Sequence, residues 1–104
     1  MSVVVSFFKP GGIGGVGAAP GIGYCRATEV LAVPGTTTTA SQAGEMILIV
    51  SSESNVVRVA HGNTPDAAAA AATSDTTAGY PVAPGIMVHV APGIGHKINV
   101  KALS

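Results

Sequence analysis

Gly79-Tyr80-Pro81-Val82-Ala83-Pro84-Gly85-Ile86-Met87-Val88-His89-Val90-Ala91-Pro92-Gly93-Ile94-Gly95-His96-Lys97-Ile98-Asn99-Val100-Lys101-Ala102-Leu103 reads as two β-strands joined by one turn. Ile86, Val88 and Val90 recur at every second position of the first strand, and Ile98, Val100 and Ala102 at every second position of the second. Lys97, Asn99 and Lys101 take the opposite face. A period of two is that of a half-buried antiparallel sheet. Between the two runs, Ala91-Pro92-Gly93-Ile94-Gly95 offers a proline that presets φ and two glycines that accept positive φ, which predicts a slightly long hairpin loop. On this reading His89 and His96 stand on opposite arms of the hairpin, facing each other.

Working outward, Val56 to Gly62 alternates with Val57 and Val59 on one face. Glu45-Met46-Ile47-Leu48-Ile49-Val50-Ser51 is a continuous apolar run short enough for a strand buried on both faces. Tyr24 to Pro34 is a further strand, with Cys25, Ala27, Leu31 and Val33 on one side and Tyr24, Arg26 and Thr28 on the other. Thr64-Pro65-Asp66 before six alanines carries the signals of a helix start, but the run offers nothing larger than a methyl group to bury. Residues 64–73 are compatible with a short helical turn and with an irregular loop. Ala-Pro-Gly-Ile recurs at 19–22, 83–86 and 91–94 with irregular spacing, which reads as one turn solution reused and not as a solenoid repeat. Six or seven short strands with Pro-Gly turns predict an all-β domain, a small antiparallel β-barrel or β-sandwich of jelly-roll-like kind. Its rigid body is expected over residues 45–103, with Ile47, Ile49, Val57, Val59, Ile86, Val88, Ile98 and Val100 buried.

The start of the chain divides differently. Ser2 to Phe8 is β-branched and aromatic, but it is followed from Gly11 to Gly23 by a tract in which seven of thirteen residues are glycine. Each glycine loses much backbone entropy on ordering and brings no apolar surface. The expected division is therefore an N-terminal glycine-rich arm over residues 1–23 and a single β domain over 24–104. Val3, Val5, Phe7 and Phe8, with Ile13 and Val16 in the tract, are the residues by which such an arm would add to a neighbouring subunit.

Composition narrows the partners. Only 10% of the 104 residues are charged, against roughly a quarter in typical soluble domains, and the formal net charge is zero. Much of the surface is therefore uncharged, which suits a part of an assembly. Lys9, Arg26, Arg58, Lys97 and Lys101 are scattered and no tryptophan is present to stack on bases, so nucleic acid is not an expected partner. No apolar run reaches the roughly 18 residues of a membrane span, and Met1 to Phe8 lacks the charged start and cleavage site of a signal peptide. A single cysteine, Cys25, fits synthesis in a reducing host cytoplasm.

No stretch carries recognisable chemistry. Gly12 to Gly17 has the spacing Gly-x-Gly-x-x-Gly of a pyrophosphate cradle, but Ala18-Ala19-Pro20-Gly21 cannot open the helix that the mechanism needs. His61, His89 and His96 have no cysteine or carboxylate at ligand spacing, so they read as solvated or inter-subunit histidines and not as metal ligands. Alternation with Ala27 and Leu31 makes Cys25 a small core residue and not a reactive thiolate. No Gly-x-Ser-x-Gly and no carboxylate pair placed for acid–base work occurs. The expectation is a non-enzymatic protein without catalytic residues, cofactor, metal or small-molecule substrate.

The sequence Val57-Arg58-Val59-Ala60-His61-Gly62-Asn63-Thr64-Pro65-Asp66-Ala67, the alanine- and threonine-rich stretch after it, and Tyr80 to Val100 together resemble small β-structured head-decoration, or cement, proteins of tailed bacteriophages. The resemblance covers residues 45–103 and rests on a pattern of strand, loop and Pro-Gly turn. It implies a virion structural protein on the outer surface of a phage capsid, often a homotrimer, that binds the major capsid protein and copies of itself and stabilises the head by bridging capsomers. A neck, tail or fibre-attachment component is the alternative within that class, and a small ligand-binding β domain the alternative outside it.

Overall fold

The computed structural model describes residues 2–11 and 21–103. They form eight strands: β1 (Val3–Gly11), β2 (Gly21–Leu31), β3 (Gly35–Thr36), β4 (Met46–Ser51), β5 (Val57–Gly62), β6 (Tyr80–Val82), β7 (Met87–Val90) and β8 (Lys97–Ala102). Two antiparallel four-stranded sheets result, sheet A in the order β2-β1-β4-β7 and sheet B in the order β3-β8-β5-β6. Each sheet keeps two free edges, so the fold is a β-sandwich and not a closed barrel.

The core lies between the sheets. Val3, Val5, Phe7, Ile47, Ile49 and Val90 from sheet A meet Val57, Val59, Val82, Ile98 and Val100 from sheet B, all of them 8% exposed or less. The alternation read from Val57, Val59, Ile98 and Val100 therefore places those side chains correctly. Ile86 departs from it: this residue is 54% exposed, because Ala83-Pro84-Gly85-Ile86 is a turn that ends before β7 begins. Gly85 takes φ of 73° there and the Ile86 N–H donates to the Ala83 carbonyl at 3.3 Å, the geometry for which Pro-Gly at the two central positions is suited. The same tetrapeptide at 91–94 does otherwise, since positive φ falls on Gly95 (79°) and not on Gly93.

The N-terminal segment is not an arm. β1 pairs with β2 on one side, from Val3↔Leu31 to Gly11↔Gly21, and with β4 on the other, from Val3↔Ser51 to Phe8↔Met46. Val3, Val5 and Phe7 are each 0% exposed in the core between the sheets, and Phe8, on the other face of β1, is 0% exposed as well, so these residues expected to meet a neighbour are buried within their own chain. A β-branched, aromatic strand gains more by pairing on both edges and burying its side chains than it loses on ordering, whatever the composition of the tract after it. The boundary at residue 23 falls inside β2 for the same reason. Ile13 and Val16 lie outside the described residues, as does the Gly12–Gly17 spacing.

The predicted hairpin is also absent. β7 pairs with β4 in sheet A, while β8 pairs with β5 and β3 in sheet B, so residues 91–96 cross between the sheets. Alternation reports which face of a strand is buried and carries no information on which strand lies beside it. The crossing is tied down at Ser41, whose N–H donates to the His96 carbonyl at 2.8 Å and whose carbonyl accepts from the Gly95 N–H at 2.8 Å. The Ser41 hydroxyl donates to the Gly93 carbonyl at 2.6 Å and accepts from the His96 N–H at 3.0 Å.

Residues 64–73 are a loop built from turns. The Ala69 N–H donates to the Asp66 carbonyl at 3.0 Å and the Asp66 carboxylate accepts from the Ala68 N–H at 3.0 Å, but no helix follows. An alanine run without an apolar stripe has too little to bury to sustain further turns.

Candidate functional site

The two sheets present very different outer faces. On sheet B the outward positions are Arg58 and Ala60 of β5 and Lys97, Asn99 and Lys101 of β8, and the chain's own 63–79 segment lies over them. Asn99, expected on a solvated face, is only 7% exposed. Its side-chain oxygen accepts from the Ala67 N–H at 2.8 Å, and its amide donates to the Thr36 hydroxyl at 2.8 Å and the Gly35 carbonyl at 3.2 Å. Lys101 reaches Asp66 at 2.7 Å, and Ala60 and Ala67 are fully buried.

On sheet A the cross-strand register assembles three outward rows. Val30, Val4, Val50 and Met87 form the first, Thr28, Ser6, Leu48 and His89 the second, and Cys25, Phe8 and Met46 the third. None of the eleven is Lys, Arg, Asp or Glu. Val30 and Met87 at the two ends of the first row are 66% and 57% exposed, while Leu48 and Phe8 nearer the centre are buried. His89 stands in this face with its ring edge-on to Phe8, centroids 6.2 Å apart, and does not meet His96.

A bulge in β2 explains why the charges of that strand are missing from the face. Phe7 pairs with Ala27 and Phe8 with Cys25, so Arg26 is the extra residue and the alternation reverses across it. Cys25 is thereby exposed, at 3.5 Å from the Thr28 hydroxyl, and is not the core residue that uninterrupted alternation predicts. Arg26 instead turns towards Phe7, 5.9 Å from its ring centroid, and grips Glu45 with two hydrogen bonds of 2.7 and 2.9 Å. Glu45 is 4% exposed and also accepts from the Gln42 N–H at 2.8 Å. The Arg26 hydrogen bond, against the opposing effect of burial, holds the Glu45 carboxyl below its ordinary range. Glu29 is likewise used internally: burial alone would raise its pKa, but donors from Thr38 and Thr39, at 3.0 and 2.7 Å for the two N–H groups, outweigh that and lower it.

The histidines come together in a pair that the sequence did not reveal. His61 at the end of β5 and His96 at the end of the 91–96 crossing place their Nδ1 atoms 3.1 Å apart. Beside them is a small cleft of about 190 Å³ lined also by Thr73, Asp75 and Thr77. At the opposite end of the sandwich, Val33, Glu53, Asn55, Val56 and Leu103 line an open groove of about 540 Å³. Among the described residues no three His, Cys, Asp or Glu side chains are grouped to hold a metal ion, and no helix is long and apolar enough to cross a membrane. Compared with protein families, curated proteins and solved structures, the chain matches none.

Proposed function

We propose that this chain is a non-enzymatic virion structural protein, a capsid decoration or cement protein that docks on the major capsid protein at the outer surface of a phage head and bridges capsomers. The observation that carries the reading is the outer face of sheet A. Eleven outward residues without a Lys, Arg, Asp or Glu, with Val30 and Met87 exposed, suit an uncharged, largely apolar patch on a partner, and suit water poorly. The likeness of residues 45–103 to head-decoration proteins supplies the partner, and low overall charge accords with a subunit covered by neighbours.

Two measurements test this. Purified protein mixed with expanded phage heads lacking it should co-sediment with them, and Val30→Lys and Met87→Lys should each reduce that binding at least about tenfold, since a buried unpaired charge is costly at an interface. Both variants should melt with the wild type. Heads that fail to take up the wild-type protein would end the decoration reading, whereas uptake unaffected by both lysines would move the docking surface elsewhere on the sandwich. The mass in solution and on the head tests the homotrimer that the resemblance implies.

A further inference from the structure

The His61–His96 pair has a geometry that restricts its protonation. The ring centroids are 5.3 Å apart and the two Nδ1 atoms 3.1 Å, a difference close to two ring radii, so the nitrogens lie on the line between the rings and point at each other. Two lone pairs converging on a chelated ion would meet off that line. A head-on pair instead holds one proton between two nitrogens, with one imidazole donating and the other accepting. The neutral pair can take up one proton at an Nε2 and keep this bond, whereas a second makes both rings imidazolium, with two N–H donors and two positive charges facing each other and no acceptor.

We infer that His61 and His96 form a one-proton latch that adds to the Ser41 hydrogen bonds in holding the crossing between the two sheets at neutral pH, and that opens when both rings are charged. His61 is the fixed half: its N–H donates to the Thr77 hydroxyl at 3.1 Å, and its carbonyl accepts from the Thr77 N–H at 2.9 Å. His96 is the half that can leave. It is partly exposed, belongs to the 91–96 connection, and lies so close under Gly93 that a Cβ there would come within 2.9 Å of its Nε2. The ring thus fills the space between the connection and β5, and its departure leaves a segment whose tip, Ile94, is already 72% exposed held by its Ser41 hydrogen bonds alone.

The other groups at this end do not neutralise a second charge. Tyr80 of β6 sets its ring edge-on to His61, 6.5 Å between centroids, and burial pushes its hydroxyl up to about 12, so it stays neutral. Asp75, which lines the cleft, is kept ionised by hydrogen bonds from Thr73 at 2.9 Å and Thr64 at 3.0 Å, but among the described residues it makes no ion pair within 4 Å with either ring. Lys97, next to His96 in the chain, is of the wrong sign, and Glu45, the nearest carboxylate on the 37–45 loop in sequence, is held by Arg26. Burial first, and then the charge of His96, lower the pKa of His61. A folded-state value below the unfolded one, about 6.5, means that stability is complete above that pH and is lost as pH falls from it towards the folded value.

The test uses the full chain and does not depend on the proposed function. Titration followed by NMR should place the His61 ring midpoint below that of an ordinary histidine. His96→Gln should raise the remaining His61 midpoint towards the ordinary value. The protection of the Gly95 and residue-96 amides against exchange, relative to the intrinsic rate at each pH, should fall between pH 7.5 and 5 in the wild type but not in His96→Gln. The wild-type melting temperature should fall over that range, and less in the variant. A His61 midpoint that does not move in His96→Gln, or a Gly95 protection factor with the same pH dependence in wild type and His96→Gln, would overturn the latch.

Discussion

The two outer faces of the sandwich are built from strands of similar length and opposite character. Sheet B carries Arg58, Lys97 and Lys101 outward and is roofed by the chain's own 63–79 segment through Asn99 and Ala67. Sheet A carries no Lys, Arg, Asp or Glu in its outward rows. The difference teaches where this protein spends its few charges: those of β2 and of the loop before β4 turn inward at the bulge, where Arg26 and Glu45 satisfy each other. Inward charges and a bulge are also devices that discourage indiscriminate edge pairing of a long strand. Sheet A is thus left apolar on its face and guarded along part of its β2 edge.

The contrast can be broken most severely through what the sheets share. Deleting residues 1–11 removes the central strand of sheet A and should leave no cooperative unfolding transition, where removal of a dispensable arm would leave the melt intact. Phe7→Ala should cost about 3 to 5 kcal/mol and Ile98→Ala about 2 to 5 kcal/mol in denaturant unfolding. Equal stability of either variant and the wild type would contradict the core described here.

Removing Arg26 sharpens the comparison further. Arg26→Met leaves the Glu45 carboxylate buried without its partner, and should cost roughly 2 to 3 kcal/mol, below the range for a fully enclosed pair because the guanidinium is partly exposed. The pH profile carries the same information. Glu45 and Glu29 have folded-state values below their unfolded ones, so their contribution is present above about pH 4.5 and is lost as pH falls below it. That loss should be smaller in Arg26→Met, and it lies at lower pH than the histidine step, which allows the two to be separated in one acid titration of stability.

The smallest effects distinguish the faces directly. Asn99→Ala, on the roofed face, leaves the Ala67 N–H without its acceptor and should cost about 1 to 3 kcal/mol. Val30→Lys, on the open face, should change stability of the isolated chain by no more than about 0.5 kcal/mol. A large cost for Val30→Lys in the free protein would mean that the chain itself covers that row.

The amino-acid order by itself determined the class of structure and much of the inner surface. Alternation at Val57, Val59, Ile98 and Val100, the apolar run at Ile47 to Ile49, and Pro84-Gly85 as a turn are local signals, because a strand's period and a turn's dihedral preferences belong to a few consecutive residues. The uncharged surface was legible too, though only as a total and not as a face. What the tertiary structure alone decided is partnership. Which strand lies beside β1, β7 or β8 depends on contacts between residues distant in the chain, so a segment read as a free arm became a central strand and a predicted hairpin opened into a crossing between sheets. One extra residue at Arg26 then reversed the faces of Cys25 and Arg26, a shift that no alternating pattern reveals until the pairing is fixed. His61 and His96, 35 positions apart, meet because β5 ends where that crossing returns. Loop closure over such distances is driven by burial of the whole core, and short-range preferences carry no record of it.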